Sequence, residues 1–322
     1  MDKTLTVSIA SYNVERFLKQ TLDSICLSDA IDDIEVIIVN DGSKDNTAAI
    51  AKEYVDKYPQ NFILINKENG GYGSTINASI AVAKGKYFRI LDGDDWVDST
   101  EFSKFVSLLK GINTDLVLTD FMWCTFKDSK LTKTERISCP YIPNIVFPVS
   151  EIESLAMHST TVRTEILKKG NIKITEHCFY TDFEFIIKSL LLSSEFIYLP
   201  LCVYQYRVWG SGQSVAIMGS LKHYEEYDRI ARFALNASEK NNIVKKVVLN
   251  NRILATNASI LTLSGDYKKY KDYVKEVKSS SINLIPFLSK FGKIVYMCPF
   301  LFFRPASIIK RKQNRIKPWI RK

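Results

Sequence analysis

The 322-residue sequence lacks the features that mark membrane-spanning and secreted proteins. Its longest strictly apolar run, Ile294–Phe303, is ten residues long and contains Pro299, whereas a transmembrane helix needs about 20. The N-terminus has no signal-peptide arrangement, because the short apolar run Thr4–Ala10 leads directly into a helical pattern. Six cysteines without a C-x-x-C pair and three histidines without ligand spacing disfavour a disulfide framework and a zinc site. These absences predict a globular protein of a reducing, cytoplasmic compartment.

Acidic residues are missing from the C-terminal part of the chain, and the net charge of +9 therefore arises mainly there. No Asp or Glu follows Glu276, and residues 290–322 hold ten Lys and Arg, so the preceding part is nearly neutral. Bulky apolar residues such as Phe300 and Trp319 alternate with these cations, which is typical of segments that lie on anionic membranes. Nucleic acid is the rival polyanion, but the apolar run Phe300–Phe303 and the lack of a nucleic-acid fold favour the membrane, so we predict no nucleic-acid partner. The other alternative is that the apolar residues pack on the body and only the end of the tail is solvated.

Strand and helix patterns alternate over the first 120 residues, which predicts an α/β fold with a largely parallel sheet. Residues 125–148 lose this periodicity and contain three prolines, so we predict a connection or an excursion at the sheet edge. Helical patterns return over 151–169, 182–193 and the lysine-rich stretch 219–278, and a strand is predicted over 196–206. In the first part, the predicted strands are Thr4–Ala10, Glu35–Val39, Phe62–Ile65, Tyr87–Leu91 and Asp115–Thr119, and the predicted helices are Val14–Leu27, Asp45–Tyr58 and Ser74–Ala83.

The densest acidic feature comes directly after the predicted strand Tyr87–Leu91, where Asp92, Asp94 and Asp95 occupy three of four positions. Such carboxylates repel one another, and ligands of open α/β sheets bind beyond the carboxyl ends of the strands. A Mg²⁺ or Mn²⁺ ion held by carboxylates and substrate phosphates fits this pattern. The alternative is an Asp-Gly turn that precedes the next helix.

Two further loops follow predicted strands. Asp41 ends the second strand, where its carboxylate suits either a nucleotide base or ribose, or the N-cap of the next helix. The third loop carries Gly70, Gly71 and Gly73, which would let the backbone approach a phosphate or sugar, although the spacing is neither Walker A nor a Rossmann fingerprint.

Together these segments resemble the ordered motifs of the family 2 glycosyltransferases, which are inverting enzymes of the GT-A fold. The resemblance rests on residues 6–13 (TVSIASYN), 35–47 (EVIIVNDGSKDNT), 68–77 and 85–98 (GKYFRILDGDDWVD). It implies a mixed sheet flanked by helices, with a C-terminal helical region. The sequence departs from the pattern at Ala10 and Asn40, neither of which is assigned to chemistry.

The resemblance implies a domain order. We expect a GT-A catalytic domain over 1–215, whose half 1–121 binds the nucleotide sugar and whose half 122–215 lies on the acceptor side. A helical region over 216–289 and a membrane-associating tail over 290–322 follow.

The resemblance also implies roles for individual residues. In the segment 180–185, Asp182 is the expected catalytic base; Glu184 or Glu176 could replace it, and an N-cap is the alternative role for Asp182. Arg207 would contact the donor diphosphate. Trp209 would contact the acceptor sugar from a loop that closes over the donor. For both residues, the alternative is a role in packing or at the solvated surface. The expected metal ligands for Mg²⁺ or Mn²⁺ are Asp92, Asp94 and Asp95, and the expected donor-binding residues are Ser11, Tyr12, Asp41, Asn69, Gly70, Gly73, Asn77, Asp92, Gly93 and Arg207.

The function expected from this resemblance is transfer of a sugar from a nucleotide-diphosphate sugar, by default a UDP-sugar, to a hydroxyl group. The acceptor would be a lipid-linked or polysaccharide glycan at the inner face of a bacterial membrane. A sugar-nucleotide nucleotidyltransferase is one alternative, although its Gly-rich, basic N-terminal signature is missing. A non-catalytic membrane-associated scaffold is the other, and the set of Asp92, Asp94 and Asp182 disfavours it.

Overall fold

The computed structural model describes residues 3–208 and 221–297, and the chain divides into two compact units. The first unit comprises residues up to 151 together with 155–208, and the second comprises 152–154 together with the residues after 208. The predictions for Trp209 and for the tail beyond residue 297 lie outside the described residues. The predicted domain boundaries stay predictions.

The first unit consists of a mixed sheet with flanking helices. Its strands are β1 (Leu5–Ser11), β2 (Ile34–Asp41), β3 (Phe62–Lys67), β4 (Tyr87–Asp92), β5 (Trp96–Val97), β6 (Leu116–Lys127), β7 (Lys130–Ile137), β8 (Val146–Pro148), β9 (Thr160–Arg163) and β10 (Glu195–Val208). Its helices are α1 (Glu15–Cys26), α2 (Thr47–Lys57), α3 (Tyr72–Val82), α4 (Ser99–Leu109), α5 (Thr164–Lys169) and α6 (Thr181–Leu192). The five strands predicted in the first 120 residues are thereby confirmed.

The strand order is β3-β2-β1-β4-β9-β6-β10-β5, with β7 beside β6 and β8 beside β10. Strands β3, β2, β1 and β4 run parallel, and β9 is antiparallel to both of its neighbours. Parallel pairing brings the carboxyl ends of β1, β2 and β4 to one edge. In the register, Ser11 lies opposite Asn40 and Ala10 opposite Asp92, so this edge collects the loops that carry the predicted site.

The core forms because each element buries a continuous apolar surface. Every residue of β2 is buried, as expected for a central parallel strand covered on both faces. Helix α1 packs its face of Leu18, Leu22 and Ile25 into the core, each fully buried. A Cβ at Gly85 would lie 2.3 Å from the backbone nitrogen of Thr6, so only glycine permits the chain to enter β4 this close to β1.

In the middle of the chain, the predicted connection or excursion contains the strand β7, and one predicted helix is only partly confirmed. Where no periodicity was found after residue 125, β6 continues to Lys127, turns through Asp128 and Ser129 at positive φ, and returns as β7. Seven of the eight residues of β7 are exposed, so the strand has no apolar alternation that a sequence could show. The helix predicted over 151–169 is confirmed only for α5; residues 157–159 form a 3₁₀ turn and 160–163 form β9. A short apolar run is compatible with the periodicity of a helix and with that of a strand. Here, pairing with β4 and β6 makes residues 160–163 a strand.

The second unit is helical, as predicted. Its helices are α7 (Tyr224–Lys240), α8 (Asn242–Asn250), α9 (Ile253–Ser264), α10 (Tyr267–Ser279) and α11 (Lys290–Met297). Asp228 is buried between two of these helices' side chains, and its carboxylate accepts hydrogen bonds from Arg232 Nε at 2.9 Å and from Asn257 Nδ2 at 2.7 Å. Among the described residues, no helix is long and apolar enough to cross a bilayer.

Candidate functional site

The acidic turn after β4 is anchored to the neighbouring strands. The backbone N–H of Gly93 donates to the carbonyl of Ala10 at 3.1 Å, and a Cβ at Gly93 would lie 2.8 Å from that oxygen. Asp95 is 1% exposed, and its carboxylate accepts hydrogen bonds from the Tyr204 hydroxyl and the Arg207 backbone N–H, each at 2.6 Å. The close approach to β1 therefore requires glycine at position 93, and β10 holds the turn from the other side.

The carboxylates of the turn carry more negative charge than their surroundings neutralise. Burial, followed by the charge of Asp94, raises the pKa of Asp92 to about 7. Burial also raises the pKa of Asp94, and it holds the pKa of Asp95 well above its usual range, together with the charges of its two acidic neighbours. The site is thus electrostatically suited to a cation.

A histidine that the sequence did not reveal joins this cluster. One carboxylate oxygen each of Asp92 and Asp95 and one ring nitrogen of His158 lie within 4.8 Å of one another. The ring of His158 packs against Tyr204 and Tyr206, with centroids 4.8 Å and 4.2 Å away. Burial and the charge of nearby Arg89 lower the pKa of His158 to about 3.

A neutral imidazole with two carboxylates fits a divalent metal ion, because carboxylate oxygens suit Mg²⁺ and Mn²⁺ and imidazole suits transition metals. Asp94 does not belong to this three-residue group among the described residues. No sequence signal identifies His158, since it is far from Asp92 along the chain and has no histidine or cysteine at ligand spacing.

Tyr72 and Tyr204 are further residues that the sequence analysis missed. The Tyr72 hydroxyl donates to Asp92 at 2.6 Å, while the Tyr204 hydroxyl accepts from the Asp92 backbone N–H at 3.2 Å. Tyr204 lies three residues before Arg207, and Tyr72 lies in the glycine loop, so each is close in sequence to a predicted site residue. Their hydroxyl groups fix the orientation of the Asp92 and Asp95 carboxylates.

Asp41 holds the glycine loop. It is 2% exposed, and its carboxylate accepts from the backbone N–H groups of Gly70 and Gly71 and from Lys67 Nζ, at 2.8–2.9 Å. The Asn69 side chain donates to the backbone carbonyl of Asp41 at 2.9 Å. The helix-cap alternative is wrong, because Asn46 occupies the N-cap of α2. The predicted contact with a nucleotide base stays a prediction.

The rest of the glycine loop packs against the segment before α6. A Cβ at Gly73 would lie 2.1 Å from the carbonyl oxygen of Thr175. The Asn77 side chain bridges the same segment, accepting from the Ile174 N–H and donating to its carbonyl, each at 2.8 Å. The structure therefore places Gly73 and Asn77 against the segment that leads into α6.

Ser11 and Tyr12 lie at the carboxyl end of β1, on the edge that carries Asp92. The Ser11 hydroxyl is buried and has no hydrogen-bond partner among the described residues. Tyr12 is 50% exposed. The Tyr12 ring is accessible to a ligand at this edge, and beside it the Ser11 hydroxyl is a buried polar group that no described residue satisfies.

Asp182 lies in the first turn of α6, and the N-cap of that helix is Tyr180 in a left-handed conformation. Burial raises the pKa of Asp182 to about 6. The charge of Asp182 also contributes to the raised pKa of Asp92, and α6 packs against the 3₁₀ turn that carries His158.

The two alternative bases are engaged elsewhere. Glu184 is 3% exposed, and its carboxylate accepts from Thr175 and from Lys188 Nζ, the latter at 2.6 Å. Glu176 is exposed and accepts from the Asn77 amide at 3.0 Å. Asp182 is thus the acidic residue of this segment that reaches the Asp92 cluster.

Arg207 lies beneath the acidic turn and is 4% exposed. Its Nε donates to the Asp94 carbonyl at 2.6 Å, and its guanidinium lies 4.5 Å and 4.6 Å from the ring centroids of Trp96 and Phe126. These contacts stabilise the backbone of the turn. The predicted contact of Arg207 with a donor diphosphate stays a prediction.

Comparison with known proteins finds a matching family and similar relatives. The family model for glycosyl transferase family 2 matches residues 6–188, more than half of the chain. EpsH of Bacillus subtilis is 34% identical over 137 residues, 42% of this chain and 39% of EpsH. The minor teichoic acid biosynthesis protein GgaB of the same organism is 28% identical over 216 residues, 65% of this chain and 23% of GgaB. The chain therefore spans well under two thirds of the length of these relatives.

A solved structure resembles the whole fold. The crystal structure of Staphylococcus aureus TarS, residues 1–349, in complex with UDP-GlcNAc aligns with a TM-score of 0.65 at 17% identity, covering 97% of this chain and 90% of that one. This likeness shows that the fold is the GT-A fold, a mixed sheet with flanking helices, followed by a helical C-terminal region.

Proposed function

The chain belongs to glycosyl transferase family 2, and we propose that it transfers a sugar from a nucleotide-diphosphate sugar to an acceptor hydroxyl with inversion at the anomeric carbon. The observation that carries the proposal is the packing of α6, which carries Asp182, against the turn of His158, together with the effect of the Asp182 charge on Asp92. A UDP-sugar is the proposed donor, supported by the likeness to TarS, which was crystallised with UDP-GlcNAc.

Asp182 is the proposed catalytic base. Inverting transfer requires a carboxylate that takes the proton of the acceptor hydroxyl while that oxygen attacks the anomeric carbon from the side opposite the leaving group. A pKa of about 6 leaves Asp182 ionised at neutral pH and still more basic than an ordinary aspartate. The half-buried position of its side chain also limits competition by water.

Asp92, Asp94, Asp95 and His158 are the proposed holders of a Mg²⁺ or Mn²⁺ ion. When bound, such an ion would supply positive charge to the diphosphate that leaves with the nucleotide. The Tyr72 hydroxyl orients Asp92, and Tyr204 orients Asp95, so the oxygen atoms are positioned before a ligand arrives.

We assign the remaining donor contacts to two groups. Ser11 and Tyr12 contact the donor directly, because they offer an orphaned hydroxyl and an exposed ring at the site edge. Asp41, Asn69, Gly70, Gly73, Asn77, Gly93 and Arg207 form the walls of the donor site, and most of their polar groups position neighbouring loops.

The proposed acceptor is a lipid-linked or polysaccharide glycan of the cell surface. The similarity to GgaB, a teichoic acid biosynthesis protein, supports this acceptor class. The basic, aromatic residues 290–322 support a peripheral position on the inner face of the membrane. Co-sedimentation of the full chain with anionic vesicles, compared with a chain ending at residue 297, tests this position; equal binding of both would contradict it.

Calorimetric titration of UDP and GDP, with and without Mn²⁺, into the wild type and Asp94→Asn tests the donor site. We expect Mn²⁺-dependent UDP binding that the variant loses while its far-UV spectrum is unchanged. Metal-independent binding, or no binding, would remove the assignment of the acidic turn.

Product analysis with a panel of sugar nucleotides separates the reaction classes. Release of nucleoside diphosphate supports glycosyl transfer, and release of pyrophosphate would instead identify a nucleotidyltransferase. No turnover with any donor, despite a folded Asp92–Asp182 site, would favour the non-catalytic alternative.

A further inference from the structure

A polar cavity lies at the end of β4 opposite to the acidic turn. It has a volume of about 720 Å³ and is formed by the loop that enters β4 and by the junction of β9 with α5. Because β4 has six residues, this cavity and Asp92 are separated by about 17 Å along the strand. It is therefore distinct from the proposed donor site.

The cavity wall is strongly cationic. Its ten lining residues include five cations and, among those described, a single acid, Glu165, which is paired with Lys169. Arg163 has an acidic neighbour outside the wall, Asp115, at 3.9 Å. The cations of the wall are Lys84, Lys86, Arg163, Lys168 and Lys169. Five positive charges thus face two negative ones.

The cations of the wall influence one another. Burial, together with the charge of Arg163, lowers the pKa of Lys86. Arg163 Nε is buried and has no hydrogen-bond partner among the described residues, and its ion pair with Asp115 is long, at 3.9 Å. Lys168 Nζ is held at the rim by a 2.6 Å hydrogen bond to the Ala83 carbonyl.

A second orphaned donor lies in the same wall. Thr164 is 5% exposed, and its hydroxyl has no hydrogen-bond partner among the described residues. Buried hydroxyl groups in folded proteins are almost always bonded to protein, water or a ligand. An oxyanion that accepts hydrogen bonds and carries negative charge would satisfy both the hydroxyl and the surrounding cations.

We propose that this cavity binds a phosphate group through Lys86, Arg163 and Thr164. A tetrahedral oxyanion offers several acceptor oxygens, which suits the guanidinium fork of Arg163 and the point charge of Lys86. The group is either the headgroup phosphate of an anionic lipid or a soluble phosphate compound. The site is independent of sugar transfer, because the residues of the acidic turn take no part in it.

Titration of inorganic phosphate into the full chain, in EDTA and at constant ionic strength, tests the proposal by calorimetry and thermal unfolding. We expect saturable binding and a rise in the melting temperature. Lys86→Gln and Arg163→Gln should each weaken binding at least about fivefold, the effect of one lost charge contact near a surface. The matched control Lys52→Gln removes an exposed cation of α2 and should leave the affinity unchanged.

Asp92→Asn should also retain phosphate binding, which separates this site from the proposed donor site. Non-saturable binding, or an equal loss in Lys52→Gln, would overturn the proposal. Should Arg163→Gln unfold, Lys86→Gln decides the outcome, because the Lys86 side chain is partly exposed and its polar contact is one long bond to a carbonyl.

A parallel titration with dihexanoyl-phosphatidylglycerol, below its micelle concentration, distinguishes the two sources. Tighter binding of the lipid than of phosphate, lost in the same variants, supports a lipid headgroup. Phosphate binding without lipid binding supports a soluble phosphate compound. Failure of both ligands to bind would overturn the proposal.

Discussion

Replacing Asp182 with Asn tests the proposed chemistry and its energetic consequence together. Burial raises the pKa of this carboxyl group to about 6 from an ordinary value of 3.8. Because the folded-state pKa is the higher one, the unfolded chain loses this proton at lower pH than the folded protein does. The ionised carboxylate therefore destabilises the fold increasingly as the pH rises from 3.8 to 6, and by a constant amount above that range.

The size of this effect follows from the pKa difference. One pH unit corresponds to about 1.4 kcal/mol, so a difference of about two units sets an upper limit of about 3 kcal/mol at pH 7.5. Solvent reaches the half-buried side chain and screens part of this electrostatic destabilisation. Asn preserves the volume of the side chain. We expect Asp182→Asn to raise the free energy of unfolding by about 1–3 kcal/mol at pH 7.5 and to have little effect at pH 4. Urea unfolding at both pH values measures this.

Activity should change in the opposite direction. A positioned general base contributes about 10²–10⁴ in rate, so kcat of Asp182→Asn should fall at least about 100-fold. At saturating metal ion and donor, wild-type kcat should be half-maximal near pH 6 and fall about tenfold per pH unit below it, as the base becomes protonated. The residual activity of Asp182→Asn should lack this inflection.

Glu184→Gln is the matched control in the same helix. Its carboxylate is bonded to Lys188, so the variant should lose stability while keeping the inflection near pH 6. An Asp182→Asn enzyme with kcat within about threefold of wild type, or one that keeps the inflection, would refute the assignment of Asp182 as the base.

Further predictions concern the metal site and loop packing. His158→Gln should weaken Mn²⁺ binding by about 10-fold or more and Mg²⁺ binding less, because imidazole favours the transition metal. Mn²⁺ electron paramagnetic resonance measures the Mn²⁺ affinity. Loss of Mn²⁺ affinity in the control His177→Gln would contradict the prediction. Gly73→Ala should lower the free energy of unfolding by at least about 1–3 kcal/mol, because its Cβ would meet the Thr175 carbonyl. Gly111→Ala has its nearest contact at 3.9 Å and should be tolerated in the same urea titration; equal stability of both variants would refute the packing argument.

Local sequence patterns were sufficient to predict the elements whose residues are buried in a regular pattern along the chain. The central strands appear in the sequence as apolar runs because both of their faces are covered, and the acidic turn is visible because Asp92, Asp94 and Asp95 are adjacent. The antiparallel strands β7 and β9 were missed. Their position depends on pairing with strands distant in sequence, and their own composition shows little alternation.

The sequence by itself determined the α/β class, the order of the motifs and the residues that carry charge at the ends of β2 and β4, because these properties are local. The tertiary structure alone decided which groups meet. Tyr204 bonds Asp95 across 109 residues, and His158 joins the acidic turn through the placement of β9 between β4 and β6. Asp41 proved to hold the glycine loop, although its position alone suited a ligand contact equally well. Contacts of this kind depend on strand order and register, which arise from the packing of the whole sheet and from no single segment.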